Sequence, residues 1–305
     1  MQLDMKIFDV IVGNPPYNPD KTRIKSNKVI WPEFVEIGFD CLADNGYLAL
    51  IHPPNGRKPE NKLWKTIYAN NKILWLEMHH AKNGREPGIK VFGQWTSFDC
   101  YVLQKTKRTT SKVRVFGING EEYKWNLDTV SWIPSGRFDI FKKILAKKND
   151  EKLEIIHSYS SYEARKVSRQ VWMNKTKTKK FKYPIAYTMN YKDGMVLWYS
   201  SRNDRGHFGV PKVICSLGGE CVHAYNDYDG KYGISNFCFG IPVSSKNEAI
   251  KMTNFINSEW FKQFIKDTKW AKETEWRMFN YFKKDFYNII LEEDKKRKER
   301  EKDAK

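Results

Sequence analysis

The sequence predicts an α/β domain in the first third of the chain and a region of mixed α+β structure after it. Short apolar strands alternate with amphipathic stretches over the first hundred residues, which is the pattern of a sheet covered by helices. After Ser111 short strands and a hairpin replace that alternation. Hydrophobic residues make up 40% of the 305 residues and aromatic residues 15%, so the chain can bury a substantial core.

The pattern of the first region predicts, in chain order, a strand, a loop, a helix, a strand, a helix and two further strands. Residues 7–12 form a nearly continuous apolar strand, which Gly13 and the two prolines after Asn14 bring to an end. A helix is predicted over 31–43, because its apolar residues recur at helical spacing and Pro32 fits the first turn. The other predicted elements here are a strand at 47–51, a helix at 60–70, and strands at 73–78 and 97–104.

The second region begins with a predicted hairpin, 112–116 and 121–125, around an Asn119-Gly120 turn. No helix pattern follows these glycines, so they do not form a phosphate-binding turn. Short strands follow up to Val243, and one long helix is predicted over 247–268. We therefore predict domains at 1–110 and 111–290, with 291–305 as a charged, disordered tail.

The charge of the chain favours a polyanionic partner. Lys and Arg number 54 against 36 Asp and Glu, a formal net charge of +18. The stretch 165–182 has no acidic residue and interleaves its cations with Trp172 and Phe181, a composition suited to nucleic acid, although a solvated lysine-rich loop is the plain alternative. Its basic residues are Arg165, Lys166, Arg169, Lys175, Lys177, Lys179, Lys180 and Lys182.

Other classes of protein are disfavoured. The five cysteines are scattered and odd in number, which argues against a disulfide framework or a zinc ribbon. His79 and His80 are adjacent, so on a strand they point to opposite faces, and we predict no metal site there. The apolar runs are too short to cross a bilayer and no signal segment opens the chain, so we expect a soluble, cytoplasmic protein.

The sequence Asn14-Pro15-Pro16-Tyr17 directly after the first strand carries the clearest chemical signal. Two prolines make a stiff turn, which can hold polar atoms in fixed positions. Methylation of a conjugated amine requires electron density to be drawn back onto its nitrogen, and two acceptors aimed at its N–H groups achieve this. Asn14 offers a side-chain oxygen, Pro15 a backbone carbonyl, and Tyr17 a flat face for a base that has left the helix stack.

With this motif the chain resembles the adenine-N6 DNA methyltransferases of restriction-modification systems, which depend on S-adenosylmethionine. The resemblance implies that Asn14, Pro15, Pro16 and Tyr17 are the catalytic loop, within the base-binding half of a Rossmann-like sheet at 1–110. It also implies an aromatic against the flipped base, for which Phe92 is the first candidate and Trp95 the second. The region 111–290 would recognise double-stranded DNA, its basic stretch holding phosphates and Arg202, Asn203 and Arg205 contacting bases.

The chain departs from this family in one respect. Only thirteen residues precede Asn14, and no glycine-rich donor-binding loop is found elsewhere, so the pocket for S-adenosylmethionine is largely missing. The apolar edge of the first strand would then lie open, and we predict that a second polypeptide covers it. The open alternatives are a truncated or decayed reading frame, a non-catalytic DNA-binding specificity subunit, and a methyltransferase acting on RNA adenine or protein glutamine.

Overall fold

A computed structural model describes residues 7–18, 29–158, 161–163, 171–190, 194–217, 219, 221–270 and 275–303. It divides the chain into two compact units, Met1–Phe138 and Asp139–Lys305. The predicted α/β domain followed by a mixed region is confirmed.

The first unit is built on a six-stranded mixed sheet with the order β1-β2-β4-β3-β5-β6. β1 runs parallel to β2 and β3 parallel to β5, whereas the other neighbouring pairs are antiparallel. The strands are β1 (Phe8–Gly13), β2 (Leu42–His52), β3 (Asn71–His79), β4 (Phe98–Lys107), β5 (Lys112–Phe116) and β6 (Glu122–Asn126).

The hairpin of β5 and β6 belongs to this sheet, which moves the domain boundary. β5 pairs with β3 through Leu76 and Val115, and Trp125 of β6 is buried. The predicted boundary at 110/111 is therefore too early, and the first unit extends to Phe138. The sequence pattern changes at Ser111 because the β5–β6 hairpin begins there. This hairpin still belongs to the hydrophobic core of the first unit.

Two helical predictions in this unit were too long. Helix α1 (Trp31–Asp40) ends before residue 43, because Leu42 already pairs with Phe8. Residues 43–46 bulge out of β2, with Asn45 at a φ of 65°, before the pairing resumes at Tyr47. The predicted helix 60–70 is reduced to a π-helical turn, Trp64–Tyr68, preceded by the 3₁₀ turn Pro54–Arg57.

β1 lies at the edge of the sheet, as predicted. Among the described residues it pairs with β2 alone. Its apolar side chains are largely outside the core, with Val10 56% and Val12 76% exposed. Helix α1 leaves Phe34 and Ile37 exposed as well, 44% and 59%. An apolar strand with a free edge and exposed side chains is a surface suited to pairing with further strands.

The second unit contains helix α3 (Phe138–Ile144), which begins at the boundary, and two four-stranded sheets. One sheet has the order β13-β9-β10-β8 and the other β12-β11-β14-β7. The strands are β7 (Ile156–His157), β8 (Met173–Asn174), β9 (Tyr183–Asn190), β10 (Gly194–Ser200), β11 (Lys212–Ser216), β12 (Ala224–Asp227), β13 (Gly233–Ile234) and β14 (Cys238–Pro242).

The predicted helix 247–268 is two helices, α4 (Lys246–Ile256) and α5 (Glu259–Thr268). Ser258 interrupts the pattern because its hydroxyl accepts a hydrogen bond from Phe261 N at 3.2 Å and so begins a new helix. The break allows both helices to bury aromatic side chains in one cluster. Its members include Phe141, Phe255, Phe261, Phe264, Phe279, Phe282 and Phe286.

The charged tail is helical in the structure, contrary to the prediction of disorder. Helix α6 (Phe286–Asp303) begins in the aromatic cluster and continues through most of 291–305. Lys and Glu are good helix formers, and Lys143 pairs with Glu293 of the first charged turn. Among the described residues there is no helix that combines the length and apolarity needed to traverse a lipid bilayer.

Candidate active site

The Asn14–Pro15–Pro16–Tyr17 loop lies at the carboxyl end of β1. Gly13 is the last residue of the strand and packs against Leu50 of β2, so the loop starts from the paired part of the sheet. Pro15 is buried, and the carbonyl of Tyr17 accepts a hydrogen bond from Ile30 N at 3.2 Å just before α1. The loop is therefore fixed at both ends.

Two hydrogen-bond acceptors of this loop have no donor among the described residues. Asn14 is exposed, and no described residue donates a hydrogen bond to its side chain. The carbonyl of Pro15 likewise receives no hydrogen bond from the described part of the chain. A polar group that is held rigidly but left unpaired is available to a ligand.

Tyr17 is half-buried, and its hydroxyl is enclosed with no hydrogen-bond partner among the described residues. Burial raises the pKa of Tyr17 to about 12, and the nearby Cys100 and Asp99 contribute to the increase. The phenol therefore stays neutral at physiological pH. Burial likewise raises the pKa of the Cys100 thiol to about 12, which makes this cysteine a poor nucleophile.

An ion pair lies behind Tyr17 at the start of β4. Arg57 donates through Nε to Asp99 Oδ2 at 2.7 Å, and both side chains are almost fully buried. The other guanidinium nitrogens donate to Ile133 O at 2.7 Å and Ser135 Oγ at 3.0 Å. The second carboxylate oxygen, Asp99 Oδ1, has no hydrogen-bond partner in the described chain. This pair ties the turn after β2 to the start of β4.

Next to it, His52 joins a buried network of hydroxyl groups. His52 Nε2 lies 3.0 Å from Tyr68 Oη and 3.3 Å from Tyr101 Oη, while Nδ1 lies 2.8 Å from Pro53 O. The ring also stacks on Trp31 at a centroid distance of 4.3 Å. Burial lowers the pKa of His52, so the imidazole is held neutral. The network fixes the chain segments that surround the loop.

Sequence reasoning missed both arrangements. Arg57 and Asp99 are 42 residues apart, and nothing in their local pattern indicates that they pair. A weak signal exists in β4, because Asp99 and Tyr101 share one face of a strand whose neighbours are apolar. A polar residue on a buried face requires a partner, but the sequence does not show which one.

The two aromatic candidates of the β3–β4 loop (residues 80–97) differ in the structure. Phe92 closes the short helix α2 (Gly88–Phe92), is half-buried, and packs edge-to-face on Phe98 at 4.8 Å. Trp95 is 64% exposed. The structure therefore packs Phe92 against the first residue of β4 and leaves Trp95 in solvent.

A carboxylate–imidazole cluster lies at the base of the same loop. One ligand atom from each of Glu77, His79 and Glu86 lies within 4.8 Å of the others, so these residues could hold a cation. His79 is stacked on Phe98 at 4.3 Å, and its Nδ1 lies 3.0 Å from Glu86 O. Arg85 approaches Glu77 at 3.7 Å and supplies positive charge to the cluster. These contacts join the end of β3 to residues 85 and 86 of the β3–β4 loop.

In the second unit, part of the predicted basic stretch forms an exposed loop between β8 and β9. Arg165, Lys166 and Arg169 lie outside the described residues. The basic loop, residues 175–182, turns at Thr178, whose N–H donates to Phe181 O at 3.0 Å. All its lysines are exposed: Lys175, Lys177, Lys179, Lys180 and Lys182. Several lie over aromatic rings, including Lys175 over Trp198 at 5.6 Å.

Arg202 and Arg205 meet at the ring of Trp172, at 5.2 and 5.9 Å from its centroid. Arg202 is also paired with Asp204, so part of its charge is already neutralised within the chain. Arg205 is the more exposed of the two. The structure thus brings together an aromatic ring and two predicted DNA-binding residues that are separated from it by about thirty positions.

Several solved structures resemble this chain in part. The type IIL restriction-modification enzyme MmeI, solved with DNA, matches 89% of this chain and 45% of its own, at 9% identity and a TM-score of 0.42. The type IIG restriction endonuclease BpuSI matches 88% and 44%, at 9% identity and a TM-score of 0.30. A nuclease-deletion mutant of the type ISP enzyme LlaGI, solved with a DNA substrate mimic, matches 84% and 38%, at 12% identity and 0.42.

The chain thus spans less than half the length of these three proteins, and TM-scores below 0.5 do not establish a common fold. No curated protein matches the chain. The informative match is to the model of the Eco57I restriction-modification methylase family, over residues 3–81. That segment contains β1, the Asn14–Tyr17 loop, α1, β2 and β3. The predicted resemblance to a restriction-modification methyltransferase is therefore confirmed for residues 3–81, which match the Eco57I restriction-modification methylase family.

Proposed function

We propose that this chain is the base-binding and DNA-recognising part of a DNA adenine-N6 methyltransferase. The observation that carries the proposal is the Asn14–Tyr17 loop at the end of β1. Two of its acceptors receive no hydrogen bond from the described residues, and it lies in the segment that matches a restriction-modification methylase family. A flipped base that entered here would meet a flat aromatic face and both acceptors.

The two acceptors suit an exocyclic amine. The amine of adenine has two N–H groups and a lone pair delocalised into the ring. Hydrogen bonds from these N–H groups to Asn14 Oδ1 and Pro15 O favour the pyramidal nitrogen that attacks as a nucleophile. No general base is needed, because the N–H becomes acidic only as the new bond forms. Tyr17 stays neutral and contributes its ring face, since its pKa of about 12 prevents ionisation.

The described residues do not by themselves form a site for S-adenosylmethionine. In them, β1 has no strand on its outer edge, and no glycine-rich turn leads into a helix beside Asn14. We propose that strands from a second polypeptide pair with the free edge of β1 and bring the methyl donor. The exposed Val10 and Val12 of β1 and the exposed Phe34 and Ile37 of α1 support this, because they are apolar side chains that the described chain leaves uncovered.

The second unit supplies the contacts to DNA in this proposal. The exposed lysines of the basic loop neutralise phosphates. Arg205 is the better candidate for a base contact, because Arg202 must first leave Asp204.

Asn14→Ala tests the proposed function directly. Removal of one fixed acceptor is expected to reduce methyl transfer to duplex DNA at least a hundredfold, about 3 kcal/mol in the transition state. The measurement is incorporation of labelled methyl groups by the protein assembled with its donor-binding partner. Asn18→Ala is the matched control, since Asn18 is also exposed and lies one residue beyond the motif. Near-normal turnover by Asn14→Ala would refute the mechanism.

A further inference from the structure

The end of β3 and the loop after it bring three metal-binding side chains together. Glu77 and His79 are two residues apart on β3, so their side chains leave the same face of the strand. Glu86 belongs to the β3–β4 loop, which is held back against the strand end where Gly88 N donates to His80 O at 2.9 Å. One ligand atom from each of the three lies within 4.8 Å of the other two. The arrangement thus joins alternate residues of the strand and not the adjacent pair of histidines.

His79 has the orientation of a metal ligand. Its side chain is 4% exposed, and its ring stacks on Phe98 with an angle of 6° between the planes. Nδ1 lies 3.0 Å from Glu86 O, and a carbonyl oxygen can only accept, so Nδ1 carries the proton. In the neutral ring Nε2 then holds a lone pair, which receives no hydrogen bond from the described residues and faces Glu77 Oε1 at 3.7 Å. Two acceptors that face each other favour a cation between them, and histidine ligands commonly donate their other N–H to a carbonyl.

The surrounding charge also favours a cation. Glu77 and Glu86 are carboxylates, and both contribute, after burial and Asp99, to the raised pKa of the Cys100 thiol. Among the described residues Arg85 is the basic side chain that approaches Glu77, with Nη2 at 3.7 Å from Oε1. This contact is longer than a hydrogen bond, and the side chain of Arg85 is 59% exposed. Exposed pairs of this kind contribute little, so a divalent ion can displace Arg85.

We propose that Glu77, His79 and Glu86 bind a divalent metal ion, Mn²⁺ being the ion that best fits, with water at its remaining coordination positions. Carboxylate oxygens suit Mn²⁺ and an imidazole nitrogen suits transition metals, whereas Ca²⁺ takes oxygen ligands. The ion fastens the β3–β4 loop to the end of β3, at the carboxyl end of that strand. The inference is independent of the proposed function, because it requires neither DNA nor a methyl donor.

Calorimetric titration of the chelator-treated full chain with Mn²⁺ tests the site. We expect one Mn²⁺ per chain, and a urea midpoint that rises with the Mn²⁺ concentration. Mn²⁺ is the probe because, unlike Zn²⁺, it does not favour the thiols of the five cysteines. His79→Gln and Glu86→Gln should each weaken binding at least about tenfold. Arg85→Ala should strengthen binding about twofold to fivefold, since it removes a competing cation.

Asp44→Asn is the matched control, since it removes an exposed carboxylate near the start of β2, at the opposite end of the sheet. This variant should bind Mn²⁺ like the parent. Glu86→Gln changes an exposed side chain, so its urea midpoint without metal should equal that of the parent, and its loss of binding then reports the ligand alone.

Three results would overturn the inference. Absence of saturable Mn²⁺ binding by the parent would leave the cluster as a network of ion pairs. Equal weakening by Glu86→Gln and Asp44→Asn would attribute binding to net charge. Undiminished binding by both His79→Gln and Glu86→Gln would place the ion elsewhere in the chain. Each of these results leaves the proposed function standing, since methyl transfer and DNA binding are measured separately.

Discussion

At the scale of single residues, buried polar groups decide how the surroundings of the catalytic loop are held. His52 is 2% exposed, and its Nε2 lies within hydrogen-bonding distance of the hydroxyl groups of Tyr68 and Tyr101. Its ring also stacks on Trp31. Arg57 and Asp99 make a second buried connection close by. These groups are buried, and their hydrogen bonds join chain segments that lie near Tyr17.

The state of His52 makes the first unit sensitive to acid. Burial lowers the pKa of His52 below its ordinary 6.5, whereas the unfolded chain takes up a proton near that value. The stabilisation is complete above pH 6.5 and is lost as the pH falls from 6.5 towards the lowered pKa. Between pH 7.5 and 5.5 we expect His52 to account for about 1 kcal/mol of the loss in the free energy of unfolding.

Urea unfolding at both pH values, followed by tryptophan fluorescence, checks this expectation. His52→Gln should lower stability at pH 7.5 but show a smaller loss on acidification than the parent. An equal pH dependence in His52→Gln and the parent would contradict the assignment.

At the scale of elements, one ion pair fastens β11 to β12 in the second unit. Lys212 Nζ donates to Asp227 Oδ2 at 2.7 Å, and to the carbonyls of His207 and Val210 at 3.0 and 3.1 Å. Both side chains are buried. Burial lowers the pKa of Lys212 and raises that of Asp227, so for each group desolvation outweighs the partner. The pair secures strand register more than it adds stability.

Lys212→Met tests this. The variant leaves the carboxylate of Asp227 buried without its cation, and we expect a loss of about 3–5 kcal/mol in the free energy of unfolding, measured in urea. Lys231→Met is the control, because Lys231 is exposed in the turn after the same strand, and its effect should stay within about 0.5 kcal/mol. If the two variants are equally stable, the ion pair of Lys212 with Asp227 does not hold β11 to β12.

At the scale of the whole molecule, the proposed function depends on the edge of β1, which pairs with β2 alone among the described residues. The strand exposes apolar side chains on a sheet edge that natural proteins normally cover. The proposed second polypeptide would pair with this edge and place the methyl donor opposite Asn14. The proposal therefore concerns assembly and not the internal stability of either unit.

Val12→Lys is expected to block that assembly without unfolding the chain. Val12 is 76% exposed, so a lysine costs the isolated chain little, but it places a charge in the predicted contact. Affinity purification of the tagged chain from its host should recover the donor-binding partner with the parent and lose it with the variant. Val171→Lys, at a residue 86% exposed in the second unit, should retain it. Equal recovery by both variants would exclude β1 as the interface.

Sequence reasoning identified the elements better than their ends or partners. The strands of the first region and the hairpin are present as predicted, because apolar alternation and turn residues are local signals. The domain boundary, the unbroken helix 247–268 and the disordered tail were wrong. Each depends on contacts with distant residues, such as the pairing of β5 with β3 or of Lys143 with Glu293.

The sequence by itself determined the fold class, the excess of positive charge and the Asn14–Tyr17 motif, since composition and short-range spacing carry that information. Only the tertiary structure decided that Asp99 and Arg57 lie behind Tyr17, that Phe92 packs on Phe98 while Trp95 faces solvent, and that Arg202 is paired with Asp204. These facts depend on which side chains meet across strands and loops. Burial and pairing are properties of the packed chain, and residues far apart in sequence supply them.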